Sequence, residues 1–242
     1  MADLIFIHGA ADSGEVWELQ TDSFAGGNRV LAVDLPGHGA RLTETPLDTV
    51  DNMADEVVRL AREQRFEQPV LIGHSMGGVI TLSIGLRYPD LPRALVLAGS
   101  GARLRMRPIV LEYARVAAAE AAPGELAPPQ IELDQVVSGA ARAEVRNWLT
   151  DRFRQATAQA TYADFMAIHE FDALDRLGEI QQPVLIVAGE EDAWTPPRFQ
   201  RYLAEHLPHG RLVIISNTGH YPFVEQAPTF NAVLSRFLDE LD

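Results

Sequence analysis

Six short apolar segments that alternate with helix-like segments most strongly constrain how this chain folds. Nearly every one ends in glycine or a Pro-Gly turn, and each has the length and continuous apolar character of a buried parallel strand. The segments are DLIFIHG (3–9), NRVLAVDLPG (28–37), PVLIG (69–73), RALVLAG (93–99), PVLIVAG (183–189) and RLVIISNTG (211–219). Alternation of strands and helices indicates βαβ crossovers. The sequence therefore predicts an α/β fold, with a mostly parallel sheet of about six strands and helices on both faces.

Helical segments between and after these strands support the same architecture. They are VDNMADEVVRLAREQ (50–64), GGVITLSIGLRYP (77–89) and TFNAVLSRFLDEL (229–241). In the last segment, apolar residues recur at helical spacing and predict a stripe that packs on the sheet. The stripe comprises Phe230, Val233, Leu234, Phe237 and Leu238.

The alternation stops once, between residues 101 and 180, where only helical patterns occur. One pattern runs over RPIVLEYARVAAAEAA (107–122) and the other over EVRNWLTDRFRQATAQATYADFMAIHEF (144–171). Because the strand pattern resumes at Pro183, we expect an insertion in the sheet domain and not a second domain. The predicted organisation is an α/β core of residues 1–100 and 181–242, with a helical cap of residues 101–180 inserted in it.

Composition excludes several classes of function. The formal net charge of −14 argues against nucleic-acid binding, because the phosphate backbone requires a positive surface. All 20 basic residues are arginine, so the chain has no lysine that could form a Schiff base. The chain also has no cysteine, which excludes catalysis by a thiol. No apolar run approaches the ~20 residues of a membrane helix, and the start MADLIFIHG lacks the basic region of a signal peptide. We therefore expect a cytoplasmic protein that does not contact membranes.

The segment GHSMG (73–77) matches the pattern G-x-S-x-G, with a predicted strand before it and a helix after it. This is the context of a nucleophile elbow, a sharp turn that holds a serine in a strained backbone conformation. Side chains two residues away on either side would collide there, and glycine relieves that crowding. The alternative is a glycine-rich turn with an incidental serine, which the strand–motif–helix context disfavours.

A serine nucleophile needs a base and a group that orients the base. His220 follows the last predicted strand, and Asp192 follows the strand before it, so both reach the carboxyl edge of the sheet where Ser75 lies. His74 is next to the serine and should point away from it, and His8 and His38 suit structural roles in turns. The alternatives are a turn acid at Asp192 and a surface histidine at His220.

These motifs together resemble the α/β-hydrolase superfamily, in its capped, carboxylesterase-like branch, over essentially the whole chain. The matching segments are HG (8–9), DLPGHG (34–39), GHSMGG (73–78), GEED with TP (189–196) and GHYPFVEQAP (219–228). Many members of the family have a two-stranded hairpin before the HG strand, whereas this chain starts almost at that strand. The missing hairpin is the reason to expect about six strands instead of eight.

The resemblance implies roles for individual residues. Ser75 is the nucleophile, His220 the general base and Asp192 its partner. The oxyanion hole comprises the backbone N–H groups of Met76 and Ala10, each donor contributing about 3–4 kcal/mol in acyl-transfer enzymes.

Two further features of the sequence favour no single interpretation. Trp194 either lines the substrate pocket or packs in the core. The segment RLRMR (103–107) is either a clamp for an acidic substrate or, as we favour, a solvated edge of the cap.

The function that this resemblance implies is hydrolysis of a small carboxylic ester through an acyl-enzyme on Ser75. A lactonase, a C–C bond hydrolase, a cofactor-free haloperoxidase or a hydroxynitrile lyase would use the same triad, and a small-ligand receptor could retain it without turnover. Haloalkane dehalogenases and epoxide hydrolases carry aspartate in place of the serine. We expect no cofactor and no metal, because no HExxH motif or clustered ligand set occurs. The sequence does not indicate the oligomeric state.

Overall fold

The computed structural model describes residues 2–127, 136–152 and 156–241, with the backbone alone for residues 151 and 152. Parts of the predicted cap, residues 128–135 and 153–155, lie outside the described residues. None of the helices in the described ranges combines the length and the apolar character needed to span a bilayer.

A single six-stranded sheet runs through the molecule, and all its neighbouring strands are parallel. The strand order is β2-β1-β3-β4-β5-β6. The strands are β1 (Asp3–Ile7), β2 (Arg29–Val33), β3 (Val70–His74), β4 (Ala94–Ala98), β5 (Val184–Gly189) and β6 (Gly210–Ile215). The prediction of an α/β fold with about six mostly parallel strands is therefore confirmed.

Helices cover both faces of the sheet because successive strand residues point to opposite sides. In β1, Ile5 and Ile7 belong to one apolar core layer, and Leu4 and Phe6 belong to the other. The described helices are α1 (Glu18–Phe24), α2 (Val50–Glu63), α3 (Met76–Arg87), α4 (Pro108–Glu120), α5 (Ala143–Arg152), α6 (Ala158–Glu170), α7 (Pro197–His206), α8 (Pro222–Glu225) and α9 (Ala227–Asp239).

The helices predicted on the sheet occupy the expected places. Helix α2 begins at its cap Thr49, whose side chain accepts a hydrogen bond from the backbone N–H of Asn52 at 3.1 Å. Helix α9 buries Phe230, Leu234 and Phe237 against the sheet, as its apolar stripe predicts. Helices α1, α7 and α8 were not predicted from the sequence.

Between β4 and β5 the described chain is helical, in α4, α5 and α6. The helical pattern of residues 144–171 is not one helix, because α5 ends at Arg152 and α6 begins at Ala158. The division of the chain into a core and a cap of residues 101–180 stays a prediction, and we use "the predicted cap" for these residues below.

One buried carboxylate joins the predicted cap to the core. Asp164, on α6, is fully buried; its Oδ2 lies 2.9 Å from His38 Nε2 and accepts a hydrogen bond of 2.9 Å from the backbone N–H of Ala11. Burial alone would lower the pKa of His38, but the charge and hydrogen bond of Asp164 outweigh it and raise that pKa. Helix α6 is thus fixed to the loop that follows β1, directly beside the site described next.

Candidate active site

Ser75 lies on the tight turn between β3 and α3, with backbone angles φ 50° and ψ −110°. A positive φ is costly for a residue with a side chain, about 1–3 kcal/mol, and persists only where the surroundings enforce it. The backbone N–H of Ser75 donates to the Ala98 carbonyl at 2.9 Å, and its own carbonyl accepts from the Ser100 hydroxyl at 2.8 Å. The turn is therefore held by the end of the neighbouring strand β4.

The glycines around the serine are required by close backbone contacts. A Cβ on Gly73 would lie 2.1 Å from the carbonyl oxygen of Gly77, and a Cβ on Gly77 would lie 2.2 Å from the carbonyl oxygen of Ile7. Both distances are far shorter than any real carbon–oxygen contact. The spacing of glycines in GHSMGG thus follows from packing the elbow against itself and against β1.

His220 and Asp192 form a buried pair at the same edge of the sheet. The Nδ1 atom of His220 lies 2.9 Å from Asp192 Oδ2. Asp192 also accepts hydrogen bonds from the backbone N–H groups of Trp194 and Thr195, both at 2.9 Å, and from the Thr195 hydroxyl at 2.7 Å. Burial alone would raise the pKa of Asp192, but the charge of His220 and these hydrogen bonds together lower it. The carboxylate is therefore ionised at neutral pH and keeps the Nδ1–H tautomer of His220.

His74, the neighbour of Ser75, lies against His220, with the two ring centroids 4.7 Å apart. It is buried, and its Nε2 donates to the backbone carbonyl of His220 at 3.0 Å. Burial, and next the charge of His220, hold the pKa of His74 well below its usual value, so the ring is neutral. His8 is likewise buried, between the Leu35 N–H (3.2 Å) and the Gly9 carbonyl (2.8 Å), and burial lowers its pKa to about 3.

Among the backbone N–H groups near Ser75 that have no hydrogen-bond acceptor within the described residues are the two predicted for the oxyanion hole. One belongs to Met76, the first residue of α3, and the other to Ala10 in the loop after β1. Ala10 lines the cavity in front of Ser75, whereas the Met76 side chain is buried in the core. Free N–H groups at such a place can bind a developing oxyanion.

A cavity of about 780 Å³ opens onto Ser75 and His220. Its size falls within the range of small-molecule binding sites, about 300–1,000 Å³. Trp194 and Tyr221 line it from the core. The predicted cap supplies apolar lining residues Leu104, Met106, Val110, Val136, Phe165 and Ile168. The structure thus brings Ser75, His220, Ala10 and Trp194 to one cavity, with Asp192 directly behind the histidine.

Comparison with known proteins assigns the chain to a family. Residues 4–233 match the alpha/beta hydrolase family. The chain belongs to the alpha/beta hydrolase family. The resemblance predicted from the sequence motifs is thus confirmed for the superfamily as a whole.

Individual known proteins resemble the chain over most of its length. A pimeloyl-[acyl-carrier protein] methyl ester esterase of Neisseria meningitidis is 32% identical over 230 residues, 87% of this chain and 83% of that protein. A 3-oxoadipate enol-lactonase of Acinetobacter baylyi is 25% identical over 97% of this chain and 89% of its own. The solved structure of a thermophilic esterase from Thermogutta terrifontis superposes with a TM-score of 0.89, covering 100% of this chain and 90% of that one, at 24% identity.

Sequence reasoning missed a residue of this hydrolase that holds the His220 loop in place. The buried carboxylate of Glu225 accepts hydrogen bonds from the backbone N–H groups of Gly219 at 2.9 Å, Tyr221 at 3.1 Å and Ser138 at 2.8 Å. The carboxylate therefore fixes the loop on both sides of His220 and connects this loop to Ser138 in the predicted cap. The segment GHYPFVEQ contains this glutamate, but the sequence does not show that the chain folds back over it.

A second missed group of the hydrolase lies in the loop that carries Ala10. Asp12 is buried, with its Oδ2 accepting a hydrogen bond from the Tyr221 hydroxyl at 3.1 Å and lying 3.8 Å from His74 Nδ1. Burial raises the pKa of Asp12 to about 7, although the hydrogen bond from Tyr221 opposes the rise. Within the described part of the chain, no three or more carboxylate and histidine side chains are grouped to hold a metal ion.

Proposed function

We propose that this chain is a serine hydrolase that cleaves small carboxylic esters through an acyl-enzyme on Ser75. One observation carries the proposal: a serine strained at a strand-to-helix turn shares a cavity with His220, whose Nδ1 lies 2.9 Å from the ionised Asp192. Membership of the alpha/beta hydrolase family supports it.

In this mechanism, His220 removes the proton from Ser75 Oγ as the oxygen attacks the ester carbonyl carbon. Asp192 orients the ring and stabilises the imidazolium that forms. The N–H groups of Ala10 and Met76 bind the carbonyl oxygen as it becomes negative, a contribution of about 3–4 kcal/mol per donor in comparable enzymes. His220 then gives the proton to the leaving alkoxide, and the alcohol departs.

Deacylation follows the same path with water as the nucleophile. His220 takes a proton from a water molecule as the water oxygen attacks the acyl carbon. The C–O bond to Ser75 then breaks, and the serine oxygen recovers its proton from His220. The apolar residues that line the cavity from the predicted cap hold the acyl or alcohol chain and limit its size. No step needs a metal or an organic cofactor.

The test is hydrolysis of p-nitrophenyl acetate and butyrate, together with methyl esters, since the Neisseria relative is named as a methyl ester esterase. We expect measurable turnover, a loss of about 10⁶-fold in kcat for Ser75→Ala, and covalent labelling by an organophosphonate of the wild-type protein but not of Ser75→Ala. Ser23→Ala, at an exposed serine of α1, is the matched control. Absence of ester hydrolysis across acyl chain lengths would refute the esterase proposal.

The identity of the base is tested separately. His220→Ala should abolish turnover by removing the proton acceptor. His74→Ala should retain a large part of the turnover, because the hydrogen bond of His74 goes to the backbone carbonyl of His220 and not to its ring nitrogens. The reverse pattern would show that the base is His74.

A second candidate function is lactone hydrolysis, because a lactone is a cyclic ester that the same serine can open. The Acinetobacter relative, named as an enol-lactonase, favours this candidate. A panel of lactones and open-chain esters, compared by kcat/KM, distinguishes the two functions. A small-ligand receptor would instead show little turnover of any ester, and its ligand affinity would survive Ser75→Ala. The cytoplasmic location stays a prediction from the sequence.

A further inference from the structure

The cavity in front of Ser75 has a charge opposite to that of the whole chain. The chain carries a formal net charge of −14, yet arginines are the commonest ionisable residues lining this cavity, and its acidic lining residue is Glu191. The lining arginines are Arg103, Arg105, Arg107 and Arg198. A cluster of charges of one sign in a cleft raises the local concentration of ligands of the opposite charge.

Two of these arginines are occupied by contacts within the protein. Arg103 and Arg105 both contact Asp172 Oδ2, at 3.3 and 3.2 Å. Arg105 also donates to the backbone carbonyl of Phe171 at 2.9 Å. The first part of the segment RLRMR is therefore an edge of the predicted cap held together by its own ion pairs, as we favoured from the sequence.

The other two arginines have no carboxylate partner in residues 2–127, 136–152 and 156–241. Both are exposed; Arg107 immediately precedes α4, and Arg198 lies in the first turn of α7, over the ring of Phe199 at 4.9 Å. Arginines elsewhere on this surface commonly pair with carboxylates. Examples are Arg41, Arg59, Arg87, Arg115, Arg176 and Arg211.

We propose that Arg107 and Arg198 form an anion subsite of the cavity, which binds a negatively charged group on the ester substrate. The inference rests on the proposed ester hydrolysis at Ser75. A guanidinium is always charged, weakly hydrated and shaped for two parallel hydrogen bonds to a carboxylate or a phosphate. The substrate is thus an ester with a second, anionic end, and the apolar residues that line the cavity contact the chain that joins its two ends.

Matched pairs of esters test the subsite. The first pair is the monomethyl ester of adipic acid and its uncharged monoamide methyl ester, which place the charge on the acyl side. The second pair, the acetate esters of 4-hydroxybutanoate and of its amide, places it on the alcohol side. We expect kcat/KM to be about tenfold higher for the charged member of at least one pair, a ratio that corresponds to about 1.4 kcal/mol, and to fall with added salt for that member alone.

Variants connect the preference to the two arginines. Arg107→Ala and Arg198→Ala should each lower the preference for the charged ester several-fold, mainly by raising its KM. The double variant should bring the preference close to one. Arg201→Ala is the matched control. The substitution removes the same charge, from an exposed residue on the same helix as Arg198 that does not line the cavity.

Three results would overturn the subsite. Equal kcat/KM within both pairs would do so while leaving the esterase proposal intact. A loss of preference for the charged ester in Arg201→Ala as large as that in Arg198→Ala would show that only the overall charge of the protein matters. Failure to cleave any of the four esters, together with no phosphonate labelling of Ser75, would refute the ester hydrolysis itself and the subsite with it.

Discussion

The buried carboxyl of Asp12 makes the stability of the protein depend on pH in a predictable way. Asp12 is 1% exposed, and its burial raises its pKa from 3.8 to about 7. The folded protein therefore keeps a proton on this group at pH values where the unfolded chain releases it. Its contribution to stability is complete below about pH 4 and is lost as the pH rises to about 7.

Replacement by asparagine removes this dependence. Asp12→Asn cannot ionise, but its carbonyl oxygen can still accept the hydrogen bond from Tyr221. The change in pKa from 3.8 to about 7 corresponds to a free energy of about 4 kcal/mol. We expect the unfolding free energy of the variant, relative to the wild type, to increase between about pH 4 and pH 7 by up to about 4 kcal/mol and to stay constant above that range.

The assay is urea unfolding of both proteins over this pH range, with the difference in unfolding free energy taken at each pH. His8, whose pKa is lowered to about 3, loses its stabilising contribution as the pH falls below its usual pKa. That opposite trend is present in both proteins and cancels in the difference. Asp22→Asn, at an exposed aspartate of α1, is the control and should give a constant difference. A constant difference for Asp12→Asn would refute the reasoning.

Three other substitutions test the site and its support. Asp192→Asn should lower kcat by about 10⁴-fold without unfolding the protein, because the amide favours the wrong tautomer of the base; a loss below tenfold would contradict the role of the acid. Gly73→Ala places a methyl group 2.1 Å from the Gly77 carbonyl oxygen, so we expect no cooperatively folded protein by circular dichroism, whereas Gly26→Ala, in open space, should fold normally. Asp164→Ala leaves His38 buried without its carboxylate partner, and should lower the unfolding free energy, measured in urea, by about 3 kcal/mol; an unchanged value would show that this contact does not stabilise the fold.

The sheet and the elbow could be predicted from the sequence because their physical requirements are local. A strand buried on both faces must be apolar throughout, so β3, β4 and β5 are visible as continuous apolar segments. The elbow requires glycine at fixed distances from Ser75, since a Cβ on Gly73 or Gly77 would meet backbone atoms. Both signals lie within a few residues of the feature that they predict.

The support of the site could not be predicted because its contacts join distant parts of the chain. Asp12 and Tyr221 are 209 positions apart, and Asp164 and Ala11 are 153 apart. In the sequence, each of these carboxylates is an ordinary acidic residue in a turn or on a helix. Helix α1 was missed for a related reason: it is short, and the packing of Phe24 against the sheet stabilises it more than its own propensity does.

The hydrogen bond from His74 to the backbone of His220 has a consequence for thermal motion at the site. Ser75 follows β3 and His220 follows β6. Strands β4 and β5 lie between these two strands, so β3 and β6 are about 14 Å apart at ~4.8 Å per strand. If the sheet alone connected the two residues, small changes of twist at each strand would add up to a large relative displacement. The 3.0 Å contact joins the neighbour of one residue directly to the backbone of the other. Heating that loosens the outer strands should therefore move the serine and the histidine together, so that activity declines only when the sheet itself unfolds.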